Sequence, residues 1–194
     1  MHENTKLIIP TPELIREYGK QFDKDPAVPA ITKLIEWKPD NTDADGVLLK
    51  VVVINKLYSA GIYDVKKVAL GISQIADLDT RLSHGEESVV EKVATAGNIR
   101  RFYSFATKYC SWHRPDLYPI YDSGVDKLLN SYSEERINPF NMGEPFSIAP
   151  GTNLRNYHDF RSVVDAFRKI CKLEKVSYQA LDKFFYLHSK EVFP

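Results

Sequence analysis

The chain has 194 residues, 43% hydrophobic and 27% charged, which is globular rather than disordered composition with enough apolar material for a core. Lys plus Arg is 26 and Asp plus Glu is 26, so the formal net charge is zero. That excludes a strongly basic histone-like or ribosomal-type protein but leaves room for a local basic patch. Two cysteines, Cys110 and Cys171, with no CxxC, cannot supply a four-thiolate cluster or an all-cysteine zinc site. They read as reduced, half-buried thiols.

The predicted elements are helices almost throughout. Residues 1–45 are expected to form a helical arm packed on a main domain of residues 46–194. The N-terminus is polar, with no apolar run of a secretory signal. Thr11 is a candidate N-cap with Pro12 at the first helical position, opening a helix over 12–22 that places Leu14, Ile15 and Tyr18 on one face. A second helix, 27–37, is expected to bury Val28, Ile31, Leu34 and Ile35. An acidic, turn-rich loop follows, and then residues 47–58 are apolar on nearly all sides, predicting a buried helix that Gly61 ends. The longest apolar stretch, 47–54, is interrupted by Lys50 and is far short of the ~20 residues a membrane helix needs. A cytoplasmic protein with no membrane partner is the expectation.

Asp64 is the candidate N-cap of the next helix, running to about Ile75. Helices are also predicted over 86–94, 99–112, 125–132, 157–171 and 177–188, the last capped by Ser177. Between 138 and 153 the helical period stops, and Pro139, Gly143, Pro145, Pro150 and Gly151 mark a long ordered loop. The class is all-α.

The most informative window is 98–126. Arg100, Arg101, Lys108 and Arg114, with His113, occur between Asn98 and Pro115 without an acidic residue. Phe102, Tyr103, Phe105, Tyr109 and Trp112 interleave with them. Basic groups among stacking-capable rings are one signature of nucleic-acid contact; an amphipathic helix with rings inward and charges outward reads the same way. Further on, Asp122 falls at the start of a helix containing Val125, Leu128 and Leu129. There it is either a cap or a fixed anion facing developing positive charge.

Thr107-Lys108, a proline, and then Pro119-Ile120-Tyr121-Asp122 together resemble the core of the helix-hairpin-helix DNA glycosylase superfamily, in particular its 8-oxoguanine glycosylase/lyase branch. The stretch Asn55-Lys56-Leu57-Tyr58-Ser59-Ala60-Gly61-Ile62-Tyr63-Asp64 is similar to that family's early helix pair, and Thr95-Ala96-Gly97-Asn98-Ile99 stands where its hairpin stands. The likeness spans residues 46–129. A narrower one is to an uncharacterised bacterial group sharing the residues 103–110 and 118–123 and a C-terminal helix.

The resemblance implies a helix-hairpin-helix DNA glycosylase-like helical domain that excises a modified base from duplex DNA, with or without AP-lyase activity, in repair or in defence against foreign DNA. It implies Asp122 as electrostatic stabiliser and Lys108 as nucleophile. Arg100, Arg101, Arg114, Gly97 and Asn98 would contact DNA, and Tyr58, Tyr103, Trp112 and Tyr121 would line a base pocket. No metal or cofactor is expected. His84, His113, His158 and His188 are scattered without HxxxH or HExxH, and there is no P-loop, GxGxxG or GxSxG. The competing expectation is a catalytically silent nucleic-acid-binding or protein-interaction module on the same fold, with Asp122 as a cap and Lys108 a solvated surface cation.

Overall fold

The computed structural model describes residues 7–141 and 143–194; residues 1–6, the polar start noted above, and Met142 in the proline-rich loop lie outside them. Ten helices carry the described residues: α1 Pro12–Phe22, α2 Ala27–Trp37, α3 Ala44–Tyr58, α4 Val65–Ser73, α5 Leu78–Ser83, α6 Ser88–Ala94, α7 Tyr103–His113, α8 Ser123–Glu134, α9 Tyr157–Ile170 and α10 Tyr178–Val192. No strand occurs among the described residues, and the fold is all-α. No helix among them is long and apolar enough to cross a membrane.

Helix starts are encoded locally. The side chains of Thr11, Asp64, Asn156 and Ser177 each accept a backbone N–H in the first turn of α1, α4, α9 and α10. Each such cap satisfies a donor that the helix itself leaves unpaired.

The chain divides into two compact units, one of residues up to Lys24 with Tyr121–Pro194, the other Asp25–Ile120. The arm expected at 1–45 is thus shared out: α1 belongs to the first unit and α2 to the second.

In the first unit α1 and α8 both pack on α10. Ile15 is buried, and the Tyr18 ring meets Phe184 edge-on at 5.0 Å while its hydroxyl donates to Glu191 at 2.6 Å. Phe167 is the hub of an aromatic core, with Tyr132, Phe146 and Phe185 at centroid distances of 4.9, 5.4 and 5.4 Å. Phe146 is the plug of the proline-rich loop. Its N–H donates to the Ile137 carbonyl at 2.9 Å, and the Ile148 N–H donates to Ser133 Oγ at 2.8 Å. A loop without a helical period is therefore tied to the core by a buried ring and by hydrogen bonds to Ile137 and Ser133.

In the second unit α3 packs on α2, α4 and α7, and α6 pairs with α7. Val47, Val51 and Ile54 are fully buried, but Leu49, Val52 and Leu57 are exposed, so α3 is not buried on all sides as expected. Its inward stripe runs through 47, 50, 51 and 54 and includes Lys50, while Leu48 and Val53 are half-buried at its edges. In α2 Ile31 is buried, whereas Val28, Leu34 and Ile35 are only half-buried. The helix expected from Ile99 begins at Tyr103, because Gly97 (φ 81°) and Asn98 (φ 51°) are left-handed and the chain is not helical until after Phe102. The six-residue α5 was not expected; it is too short to show a helical period. Both cysteines are free and buried rather than half-buried, and burial pushes the Cys171 thiol up to about 12.

Candidate functional site

The side chains of α7 are buried at nearly every position, so the helix is enclosed rather than amphipathic. Lys108 is in its middle and is only 5% exposed, which overturns the alternative of a solvated surface cation. Its Nζ donates to Ser104 Oγ at 2.7 Å and stands 5.4 Å from the centre of the Tyr58 ring. Trp112 Nε1 donates to the Tyr58 hydroxyl at 3.2 Å. Ser104, Lys108 and Trp112 are one turn apart and form a stripe along α7. Tyr58, the last residue of α3, faces that stripe. An ammonium is costly to bury, and a hydroxyl and an aromatic face are among the groups that compensate here. Three sequence-predicted residues, Lys108, Tyr58 and Trp112, are therefore brought together. Ser104 was missed; its signal is the i−4 spacing from Lys108.

The turn between α6 and α7 carries the predicted DNA contacts. The Phe102 N–H donates to the Ala94 carbonyl at 2.7 Å, closing the turn. Gly97 lies against α4, where an added Cβ would meet the Lys67 carbonyl oxygen at 2.8 Å. Gly71 lies against the same turn from the other side: a Cβ there would stand 2.3 Å from the Gly97 nitrogen. Two glycines thus let the turn and α4 touch backbone to backbone. Arg100 Nη2 donates to the Gly61 carbonyl at 3.1 Å, and its guanidinium lies 4.7 Å from the Phe102 ring. Arg101 forms a bidentate pair with Glu91, 2.7 Å at its closest, and lies over Tyr103 at 4.3 Å. Tyr103 is thereby covered by Arg101. Arg114 is exposed, with Nη1 donating to the His113 carbonyl at 2.8 Å. Because Lys108 and His113 are both buried, the acid-free run of 98–115 presents only its three arginines as exposed cations.

Asp122 and Tyr121 belong to the other unit. Asp122 Oδ1 accepts the N–H groups of Gly124 and Val125, both at 2.9 Å, capping α8. The Tyr121 hydroxyl donates to Asp126 Oδ2 at 2.6 Å and its ring meets Phe160 edge-on at 5.5 Å. Burial, then the bond to Asp126, raises the Tyr121 pKa.

A second polar cluster, not anticipated from the sequence, is buried in the 25–120 unit. Lys50 is fully buried; its Nζ donates to the Asp40 carbonyl and to Asn41 Oδ1, both at 2.8 Å. The Tyr109 hydroxyl also donates to Asn41 Oδ1. Asn41 in turn donates through Nδ2 and its N–H to the Asp79 carboxylate, at 2.6 and 3.0 Å. Burial lowers the Lys50 pKa to about 8. His113 packs on Tyr109 with centroids 5.0 Å apart, and its Nε2 is buried without a hydrogen-bond partner. Burial, then the charges of Lys50 and Arg114, lower the His113 pKa to about 3, so the ring is neutral at physiological pH.

Comparison with known proteins places this architecture in a family. The chain is 36% identical over 158 residues to an uncharacterized protein of Haemophilus influenzae, an alignment covering 80% of this chain and 72% of that relative. No solved structure matches it. The family described as HI_0787_N, N-terminal domain, matches residues 13–117, from α1 to just beyond α7. That segment holds Lys108 with Tyr58 and Trp112, the α6–α7 turn and the Lys50 cluster, and by both likenesses the chain belongs to the HI_0787_N family.

Proposed function

We propose that the protein is a DNA glycosylase with AP-lyase chemistry centred on Lys108, acting on a modified base in repair or in defence against foreign DNA. The observation that supports this reading is the buried Lys108 amine, which donates to the Ser104 hydroxyl and lies beside the Tyr58 ring, whose own hydroxyl accepts from Trp112. A lysine amine in its deprotonated form is a nucleophile, and aromatic rings suit a base taken out of the stack. In the proposed step Nζ bonds to C1′ of the sugar while the C1′–base bond breaks. The departing base takes the electron pair and the amine proton, and ring opening leaves a Schiff base.

The test is borohydride trapping on duplex DNA containing an abasic site. The wild-type protein is expected to form a covalent adduct, Lys108→Ala to form none, and peptide mapping to place the adduct on Lys108 rather than Lys50. An adduct that survives Lys108→Ala overturns the assignment.

A second reading, a catalytically silent DNA-binding or interaction module, is favoured by Asp122, whose Oδ1 serves as the α8 cap. It predicts no adduct and no base release from any modified duplex.

A further inference from the structure

Tyr63 is 97% exposed, the most exposed of the large apolar side chains, yet the loop that carries it is firmly held. Asn55 in α3 grips the neighbouring residue on both sides of its backbone: Nδ2 donates to the Ile62 carbonyl and the Ile62 N–H donates to Oδ1, each at 2.9 Å. Ile62 itself is buried. On one flank Arg100 binds the Gly61 carbonyl at 3.1 Å; on the other Asp64 caps α4 through the Lys67 N–H at 3.0 Å. Four anchors surround a side chain that touches nothing. The backbone beside Tyr63 is pinned while its ring is left in water, where an amphipathic aromatic face is open to stacking.

The surroundings say which partner. Lys66 and Lys67 follow Tyr63 on the first turn of α4, both exposed, and Arg100 crosses from the α6–α7 turn to the Tyr63 loop. The exposed Ile99 adjoins Arg100. The acid in this stretch, Asp64, is engaged as a helix cap. An aromatic face amid cations fits a polyanion that carries stackable rings.

We infer that Tyr63 stacks on an unstacked base of DNA while Lys66, Lys67 and Arg100 hold the flanking phosphates. The inference rests on the reading that the chain acts on DNA and adds to it the residue that senses a weakened base step. Opening a well-paired step costs a few kcal/mol, and a mismatch lowers that cost. A ring supplying stacking energy therefore discriminates between the two duplexes.

The test compares affinities for two otherwise identical duplexes, one fully paired and one with a central mismatch. The wild-type protein is expected to prefer the mismatched duplex by about tenfold or more, the scale of one base–aromatic stack. Tyr63→Ala should bring the ratio of the two affinities close to one, Tyr63→Trp should restore it, and Arg100→Ala should weaken both duplexes alike. Unchanged thermal melting of Tyr63→Ala confirms an intact fold. A wild-type protein that binds DNA without preference, or a Tyr63→Ala protein that keeps the preference, overturns this inference and leaves the DNA reading standing. A wild-type protein that binds neither duplex overturns both.

Discussion

At the scale of single residues the two buried bases, Lys50 and His113, set a pH dependence whose signs follow from their surroundings. His113 is held neutral with its pKa lowered to about 3, whereas in the unfolded chain it titrates near 6.5. Below pH ~6.5 the unfolded state takes up a proton that the folded state refuses, so stability falls by up to ~1.4 kcal/mol per pH unit as the medium is acidified. Urea unfolding between about pH 7 and about pH 5 should show that slope, and His113→Phe should flatten it while preserving the ring packing on Tyr109. Lys50 works at the other end: its folded pKa of about 8 lies below the unfolded value near 10.5, so its contribution rises with pH across that window. Lys50→Met, which removes the buried charge, should abolish the alkaline rise; but it leaves Asn41 Oδ1 with one donor fewer, so a net loss of stability near neutrality is expected. Asp122 offers a different contrast. Asn caps a helix nearly as well as Asp, so Asp122→Asn should leave melting unchanged. If the carboxylate stabilises a cationic sugar, the same change lowers base release by about 10²-fold or more.

At the scale of elements the contact of α4 with the α6–α7 turn is the most demanding geometry. Gly71→Ala would put a Cβ 2.3 Å from the Gly97 nitrogen, where only a backbone shift relieves the clash. Such overpacking costs about 1–3 kcal/mol, and urea denaturation should show a loss of that size. Gly97→Ala adds the strain of φ 81° to a 2.8 Å approach to the Lys67 carbonyl and should be at least as damaging. Neither glycine stands out along the chain. The resemblance made Gly97 a hairpin residue, but the contact that requires a glycine there, with Lys67 of α4, lies about thirty residues upstream in the sequence. The same turn explains why α7 starts at Tyr103: the aromatic and basic residues from Ile99 onward have a helical look, and the left-handed pair before them delays the helix.

At the scale of the whole molecule, zero net charge makes any DNA binding a matter of local arrangement. Arg100 is exposed, with a neutral carbonyl as its hydrogen-bond acceptor, whereas Arg101 is clasped by Glu91. Each phosphate contact adds about 0.9 to the slope of log affinity against log salt. Arg100→Ala should therefore flatten that slope by about one contact, and Arg101→Ala by clearly less. Equal effects would mean that Glu91 releases Arg101 on binding. The family match, 13–117, ends close to where the 25–120 unit ends and so covers Lys108, the α6–α7 turn and the buried Lys50 cluster of this chain.

Local chemistry determined much of this protein from its sequence. Apolar spacing marked the helices, and Thr11, Asp64, Asp122 and Ser177 marked where four of them begin, because a cap needs only a side-chain oxygen and the next few N–H groups. The resemblance named Lys108, Tyr58 and Trp112 along with Tyr103 and Tyr121 as site residues, but that the first three meet is a matter of how α3 packs on α7. What only the tertiary structure decided depends on which surfaces meet. Burial of Lys108 and Lys50, exposure of Leu49, Val52 and Tyr63, and the pairing of Arg101 with Glu91 arise between segments distant along the chain. A lysine on an apolar helix face is written identically whether the neighbouring helix covers it or water does; its burial exists only once the helices pack.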